Sequence, residues 1–314
     1  MDYQTTVTAQ EPIAITIGNF DGIHRGHQRL LHELRALAAS LGCRPVLLTF
    51  EPHTLAVVRP HVPLQCLNSL EEKLALARRY GGIEDSIVIR FTPQVAAMPA
   101  RQFLDELRAT FDVRGLVVGE NFSLGHNREG NIAFLQRYGA EHGLVVRALP
   151  LEEIRGVRVS STEIRALVGG GRIAEAAELL GHPLLLSGLV VHGDHRGRLL
   201  GFPTANIVPE PYRLLPANGI YAARVRVAVE EAAMSDVFSS PHVYKSAVNV
   251  GIRPNFPSER PLVEAYLLDV ELDLYGKRIL VEFIARLRDE QRFDSIEALK
   301  AQMAADVEQV RQIL

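Results

Sequence analysis

The stretch IAITIGNFDGIHRGHQRLL, residues 13–31, sets the expected fold of the first half of the chain. Ile13 to Ile17 form a short, mostly apolar run, which predicts a buried strand. Leucine and alanine recur at helical spacing from Leu30 to Leu41, which predicts a helix. The glycine-containing loop between them favours a bound anion, because free backbone N–H groups and the helix dipole face it.

Two histidines stand where this predicted helix begins. His24 and His27 flank Gly26 in the sequence HRGH. Two imidazoles in one place can hydrogen-bond phosphate oxygens and stabilise charge in a transition state. Gly22 and Gly26 lack a Cβ, so the backbone there can come close to a phosphate. The stretch therefore predicts a phosphate site with imidazole side chains.

The string GNFDGIHRGH, residues 18–27, resembles the HxGH signature of HIGH-type nucleotidyltransferases. More narrowly, it resembles the adenylyltransferase half of the bacterial bifunctional riboflavin kinase/FMN adenylyltransferases, also called FAD synthetases. The resemblance implies that His24 and His27 are catalytic. It also implies that four further residues of the string bind ATP phosphates, namely Gly18, Asp21, Gly22 and Gly26.

Strand and helix signals alternate along the rest of the first half. Further strands are predicted at residues 45–50, 86–91, 115–119 and 144–149, with helices between them. Such alternation is typical of a parallel sheet with right-handed crossovers. The sequence therefore predicts a Rossmann-like α/β domain, in which ligands bind beyond the carboxyl ends of the strands.

Three segments that follow predicted strands also resemble the family: TFEPH at 49–53, ENFSLGHNREG at 120–130 and SSTEIR at 160–165. A serine is expected to cap a helix that begins near Thr162. On the residues alone, the second segment is equally a plain polar turn, and capped helices with an arginine are common. The resemblance implies flavin binding by Phe50, Pro52, His53 and Phe122, phosphate binding by Asn121, Ser160, Ser161 and Thr162, and a catalytic role for Arg165.

A domain boundary is expected at Gly181-His182-Pro183, where a helix stop meets a proline. The predicted domains are an adenylyltransferase at 1–183 and a riboflavin kinase at 184–314. Alternating strands at 184–191, 220–229, 262–270 and 279–287 favour a mainly antiparallel β-barrel in the second domain. A final helix, capped by Asp294 or Ser295, is expected to pack on the barrel through Ile296, Leu299, Met303, Val307 and Val310.

The segment HGDHRGRLLGFPTANI, residues 192–207, carries the chemistry predicted for the second half. Thr204 and Asn206 are two residues apart, so in an extended chain their side chains face the same way. Hydroxyl and amide oxygens are hard ligands that suit Mg²⁺. No GxxxxGK[ST] sequence occurs, which excludes a P-loop kinase.

The same segment resembles the flavokinase signature. The resemblance implies that Thr204 and Asn206 hold Mg²⁺. It also implies that glycines and neighbouring residues bind the ATP phosphates, namely Gly193, Arg196, Gly197, Gly201 and Pro203.

Two later segments, NVGIRPNF at 249–256 and the run from Val263 to Phe293, also resemble the flavokinase family. A glutamate in a strand is usually an exposed residue, but the context LVEAYLLD implies that Glu264 is the general base for a primary alcohol. Arg253 and Arg288 are implied flavin contacts. The chain departs from the family pattern at Thr54, Leu124, Asn255 and the long segment 230–244.

The resemblance implies two sequential reactions, phosphorylation of riboflavin to FMN and adenylyl transfer from ATP to FMN. FMN and FAD are then products rather than prosthetic groups, and Mg²⁺ is the expected cofactor. Two alternatives stay open: a monofunctional flavokinase whose first half only binds nucleotide, and a flavin-binding regulator. A flavin-dependent oxidoreductase is disfavoured, because no GxGxxG fingerprint occurs.

Composition limits the classes of protein that remain. The chain has 314 residues, 47% of them hydrophobic, and a net charge of −3, which favours a globular protein and disfavours nucleic acid as a partner. Cys43 and Cys66 form no CxxC pair, which fits a reducing compartment. Neither a secretion signal nor an apolar run long enough for a membrane span is present, so a cytoplasmic location is expected. Self-association is left open.

Overall fold

The structure is a computed structural model that describes residues 1–193, 200–210, 212–228, 234–252 and 261–314. The predicted site residues Arg196, Gly197 and Arg253 lie outside these ranges, as do Asn255 and part of the segment 230–244. The chain divides into two compact units. The first contains Met1–Leu64 and Lys73–Ser160, and the second contains Gln65–Glu72 and Ser161–Leu314.

The first unit is built on a six-stranded sheet. Its strands are β1 Tyr3–Thr5, β2 Ile13–Ile17, β3 Arg44–Glu51, β4 Asp85–Arg90, β5 Val113–Gly119 and β6 Val145–Leu149. They lie in the order β1-β4-β3-β2-β5-β6, and all pairs are parallel except β1 with β4. The order reverses between β2 and β5, which is the doubly wound arrangement predicted from the sequence.

Helices connect these strands. They are α1 Arg25–Leu41, α2 Thr54–Val58, α3 Leu70–Leu76, α4 Pro93–Ala96, α5 Ala100–Thr110 and α6 Ile132–His142, and a short hairpin, β7 Glu153–Ile154 with β8 Val157–Arg158, follows β6. Every residue of β2 is buried, and α1 buries the leucine stripe that predicted it. The sequence missed β1, because its three residues are exposed and carry no apolar pattern.

The second unit contains a closed six-stranded barrel. Its strands are β9 Leu184–Val191, β10 Ala205–Val208, β11 Gly219–Val227, β12 Val243–Ile252, β13 Pro261–Leu267 and β14 Arg278–Arg288. Around the barrel they follow the order β10-β13-β12-β11-β14-β9, and every pair is antiparallel. The predicted barrel is confirmed. The sequence analysis missed two of its strands. One is β10, which is only four residues long, and the other is β12, whose polar residues interrupt the alternation.

The helices that lie wholly within the described ranges of this unit are α7 Ser161–Gly169, α8 Ile173–Leu180, α9 Met234–Ser239 and α10 Ile296–Ile313. Helix α7 begins at Ser161, one residue earlier than expected. Contacts group α7 and α8 with the barrel. The functional boundary after Pro183 stays a prediction.

Helix α10 packs on the barrel as expected, but not along its whole predicted face. Ser295 is its cap, and its Oγ accepts the Ala298 N–H at 3.1 Å. Val310 and Val307 pack in a cluster with Ala222 of the barrel. Ile296, however, is 60% exposed, so its predicted place on the packed face was wrong. The apolar pattern extends one turn beyond the surface that the helix covers.

A buried ion pair anchors the segment Gln65–Glu72 within the second unit. The Arg213 guanidinium lies 2.9 Å from the Glu72 carboxylate, and both side chains are buried. Glu72 also accepts the Ser187 N–H from β9 at 2.8 Å, and Arg213 donates to the Leu185 carbonyl at 2.8 Å. Ser69 and Glu72 exchange hydrogen bonds in a capping box at the start of α3. These contacts explain why this segment groups with the barrel.

We expect Arg213→Met to destabilise the protein by about 3–5 kcal/mol, because it leaves the Glu72 carboxylate buried without its counter-charge. Chemical denaturation measures the free energy of unfolding. Arg172→Met, which removes an ion pair with Glu175 in which both side chains are exposed, is the matched control and should change it by less than about 1 kcal/mol. Equal effects of the two variants would contradict this account of the buried pair.

Candidate active sites

The loop that follows β2 is held in an unusual conformation. Phe20 and Ile23 have φ angles of 49° and 39°, in the left-handed region that non-glycine residues rarely adopt. Phe20, Asp21 and Ile23 are all buried, and the Gly18 N–H donates to the Leu48 carbonyl at 3.1 Å. Such strain persists only where the surroundings fix it, and it is common at functional sites. The loop therefore fixes the position of His24, the residue that follows it.

His24 and His27 form a stacked pair at the start of α1. Their ring centroids are 3.5 Å apart with an interplanar angle of 15°. His24 is the N-cap residue, and its Nδ1 accepts the His27 N–H at 3.3 Å. Since a backbone N–H can only donate, the neutral His24 ring carries its proton on Nε2. An added Cβ at Gly26 would lie 3.3 Å from the His24 ring, so glycine there leaves room for the ring.

His27 is held in its neutral form. Burial lowers its pKa well below the ordinary value of 6.5, and electrostatic interactions with His24 and Lys73 lower it further. Its Nδ1 is buried and makes no hydrogen bond to any residue that the structure describes. His27 can therefore offer an imidazole donor and acceptor to a phosphate without a charge of its own.

Asn19 connects this loop to the one that follows β3. Its side-chain Nδ2 donates to the Thr54 Oγ1 at 2.9 Å, and its Oδ1 accepts the Thr54 N–H at 3.1 Å. Thr54, named above as a departure from the family pattern, supplies both the hydroxyl and the backbone N–H of this contact. Neither contact was predicted, because 35 residues separate the two partners in sequence.

The three residues of TFEPH that are predicted to contact flavin lie in different environments. Phe50 is buried in the core of the first unit, where its ring lies 5.3 Å from that of Phe91. His53 caps α2 and accepts the Leu55 N–H at 3.2 Å, and Pro52 is exposed. Flavin binding by these three residues stays a prediction.

A cavity of about 380 Å³ lies after β5, where the loop 120–130 was predicted to contact substrate. Asn121 and Phe122 line it, and so does Arg128, whose Nε donates to the Ser123 Oγ at 2.8 Å. Arg128 has a φ angle of 61°. Sequence reasoning missed Arg128, because one arginine in a polar loop gives no signal of its own. The triphosphate residues predicted from SSTEIR lie at the start of α7, where Arg165 is partly buried.

In the barrel, strand pairing places Glu264 between two asparagines. On β13, Glu264 is directly opposite Asn206 of β10 and Asn249 of β12. Side chains at directly opposite positions of neighbouring strands share one face of the sheet, so the three form a row. An added Cβ at Gly193 would lie 2.6 Å from the Asn206 Cγ, which is closer than real contacts allow. Gly193 therefore makes room for the buried Asn206 amide.

A second carboxylate lies beside this row. Burial raises the pKa of Glu290, a hydrogen bond from Asn249 opposes that shift, and the negative charge of Glu264 adds to it. The Asn249 Oδ1 is buried and has no hydrogen-bond partner within the described ranges. The sequence did not point to Asn249 or Glu290 individually, although both lie in segments that resemble the flavokinase family.

The remaining predicted residues of the second unit are spread around the barrel. Thr204 is partly buried just before β10, whereas Gly201 and Pro203 are exposed. The Arg288 guanidinium holds Asp306 of α10 in a two-point ion pair, with distances of 2.8 and 2.6 Å. This pair stabilises the packing of α10, and a flavin contact by Arg288 stays a prediction.

Comparisons with known proteins identify the family of the chain. A family model described as FAD synthetase matches residues 6–163, and one described as riboflavin kinase matches residues 180–314. A bifunctional riboflavin kinase/FMN adenylyltransferase from Escherichia coli (strain K12) is 38% identical over 298 residues, covering 95% of this chain and 91% of the relative. The protein of the same description from Pseudomonas fluorescens is 36% identical over 303 residues, covering 94% and 91%. The chain belongs to the bifunctional riboflavin kinase/FMN adenylyltransferase family.

A solved structure shares the fold of nearly the whole chain. The crystal structure of a protein from Streptococcus pneumoniae, described as a macrolide-efflux protein, matches with a TM-score of 0.85 and 28% identity over 98% of this chain and 96% of that one. The predicted family, fold class and pair of enzyme activities are confirmed by these matches. Riboflavin, FMN and ATP follow as substrates of the two activities, and ATP-dependent enzymes of this kind imply a divalent metal ion.

Within the described ranges, no helix has the length and apolar character to span a bilayer.

The lowered pKa of His27 predicts a pH dependence of stability. The unfolded chain binds a proton at His27 near pH 6.5 and the folded protein only well below it, so folding loses stability as pH falls below about 6.5. We expect His27→Gln to remove this loss, which approaches about 1.4 kcal/mol for each pH unit within that window. Denaturation curves between pH 5 and 8 measure it.

His32→Gln is the matched control, since His32 is an exposed histidine on the same helix. Its stability profile should run parallel to that of the unmodified protein over the whole pH range. A His27→Gln profile that also runs parallel would show that His27 does not titrate abnormally.

Proposed function

We propose that the row Asn206, Glu264 and Asn249 is the site where the barrel phosphorylates riboflavin. We also propose that the loop carrying His24 and His27 is where the α/β unit joins FMN to AMP. The observation that supports the first assignment most directly is the strand register that puts a carboxylate between two amides. The stacked histidine pair at a helix N-terminus supports the second.

In the kinase reaction, Glu264 accepts the proton of the ribityl 5′-hydroxyl. The hydroxyl oxygen forms a bond to the γ-phosphorus of ATP, the bond to the β–γ bridging oxygen breaks, and ADP leaves. Asn206 and Asn249 flank Glu264 and fix the position of its side chain.

The residues present suit a divalent ion, which we propose is Mg²⁺. Thr204 supplies a hydroxyl oxygen and Asn206 a buried amide oxygen, and both are hard donors of the kind that Mg²⁺ takes alongside nucleotide phosphates. Gly193 leaves the space that the Asn206 amide occupies. Bound there, the ion would neutralise charge on the transferred phosphoryl group.

In the adenylyl reaction, an oxygen of the FMN phosphate forms a bond to the α-phosphorus of ATP and pyrophosphate leaves. No protein nucleophile is needed. His24 donates from Nε2 to a phosphate oxygen, and the aligned reactants and fixed donors lower the barrier. We assign the cavity beside Asn121 and Phe122 to substrate. The roles of Ser160, Ser161, Thr162 and Arg165 toward the triphosphate, a cytoplasmic location and any self-association stay predictions.

A product assay tests the proposal. The pure protein is incubated with riboflavin, ATP and Mg²⁺, and the flavins are separated by chromatography over time. FMN that appears first and FAD that appears later is the expected result. FMN without FAD would reduce the first unit to a binding or regulatory module. No conversion of bound flavin would contradict both assignments.

Two variants are expected to separate the activities. Glu264→Ala should lower kinase turnover by about 10²–10⁴-fold, since it removes the general base, and spare adenylyl transfer to supplied FMN. His27→Ala should do the reverse, with a loss of about 10²–10³-fold in FAD formation. Glu271→Ala and His32→Ala change exposed residues of the same types and serve as controls. Loss of both activities in either single variant would argue against separate sites.

Gly193→Ala tests the placement of Asn206. The added methyl group would displace the Asn206 amide, and a shift of about 1 Å in a positioned group costs on the order of 100-fold in rate. We expect kinase turnover to fall and the Mg²⁺ concentration for half-maximal rate to rise, with FAD formation from supplied FMN unchanged. Gly169→Ala, where an added methyl group meets open space, is the control. Unchanged Mg²⁺ dependence in Gly193→Ala would contradict the assigned ligand.

A further inference from the structure

Lys73 of α3 is a buried lysine. Its side chain is 4% exposed, although lysine is almost never buried in proteins without a specific partner. Its Nζ donates to the Thr49 Oγ1 at 3.2 Å, and Thr49 is itself fully buried. A methionine would fill the same volume without the cost of taking an ammonium group out of water. The charge at this position therefore calls for an explanation.

The hydrogen bond from Lys73 continues into the loop that carries the histidines. The Thr49 hydroxyl donates in turn to the Asn19 carbonyl at 3.4 Å. Asn19 begins the strained turn that ends at His24, and its side chain holds Thr54. Two hydrogen bonds thus connect the Lys73 ammonium with the start of that turn.

Lys73 also acts on His27 through space. Its positive charge, after burial and the charge of His24, is a cause of the lowered pKa of His27. Titratable groups that the neighbouring elements contribute include His24, the N-cap residue of the same helix, Asp21 in the buried loop and Lys73 from α3. Of these, His24 and Lys73 act on the His27 ring.

We propose that Lys73 is a positioning residue for adenylyl transfer, which anchors the histidine loop through Thr49 and supplies a fixed positive charge behind His24 and His27. The reacting phosphates and the departing pyrophosphate are negative, and a cation already in place needs no reorganisation when that charge develops. With Lys73 charged, His27 stays neutral and keeps its hydrogen-bonding pattern over the physiological pH range. This inference rests on the proposed adenylyl reaction of the first unit.

The test compares variants that separate charge from packing. Lys73→Met keeps the volume and removes the charge, and Lys73→Arg keeps the charge. We expect Lys73→Met to lower FAD formation from supplied FMN by about 10–100-fold and Lys73→Arg to restore most of it. Riboflavin kinase turnover in the same full-length protein should stay unchanged. Lys300→Met removes an exposed lysine and should leave both activities unchanged.

A second measurement would not respond to a purely structural role. An NMR titration of the His27 ring should give a higher pKa in Lys73→Met than in the unmodified protein, and the acidic limb of the FAD-forming pH profile should move the same way. Lys73→Arg should move neither. Thr49→Val, which keeps the charge and cuts the hydrogen bond, should slow FAD formation without changing the His27 titration.

Two results would overturn the inference. The first is full adenylyl activity in Lys73→Met. The second is an equal loss of activity in Lys73→Met and Lys73→Arg with an unchanged His27 titration, because packing alone would then explain the role of Lys73. If Lys73→Met does not fold, Lys73→Gln removes the same charge while keeping a donor for Thr49, and it must show the same losses. An unmodified protein that makes no FAD would contradict the proposed function itself, which is a distinguishable result.

Discussion

Backbone pairing between strands decides which side chains meet in each candidate site. In the first unit, parallel pairing brings the carboxyl ends of β2 and β3 to one edge, where the loops joined by Asn19 and Thr54 begin. In the barrel, antiparallel pairing of β10, β13 and β12 sets Glu264 directly between two asparagines. A slip of one residue in either β10 or β12 would turn its asparagine to the opposite face. The chemistry of both units therefore depends on register.

Buried charge is used differently in the two units. Glu72 and Arg213 neutralise each other within the second unit, and backbone N–H and carbonyl groups complete their hydrogen bonds. This pair fixes the segment Gln65–Glu72 to the barrel. Lys73, the next residue along α3, points its ammonium at a hydroxyl beneath the histidine loop. Adjacent positions of one short helix thus serve stability in one case and, as we infer, catalysis in the other.

The electrostatic character of the two sites matches the two chemistries. Phosphorylation of an alcohol needs a group that takes a proton, and the barrel offers the Glu264 carboxylate with Glu290 close by. Adenylyl transfer starts from a phosphate that is already ionised, so it needs no base. The first unit accordingly offers the neutral His27 imidazole, a helix N-terminus and the positive charge that we infer for Lys73.

The sequence by itself determined the family, the two fold classes, and the positions of β2, α1 and β9. Those signals are local, since apolar runs, helical periodicity and contiguous motifs are written in neighbouring residues. Only the tertiary structure placed Asn249 beside Glu264, Thr54 on Asn19, Lys73 on the Thr49 hydroxyl and Arg128 in a cavity. It also put Phe50 in the core and Arg288 on Asp306. Each of these placements depends on contacts between segments distant in sequence, and a single polar residue carries no local signal of the partner that folding will bring to it.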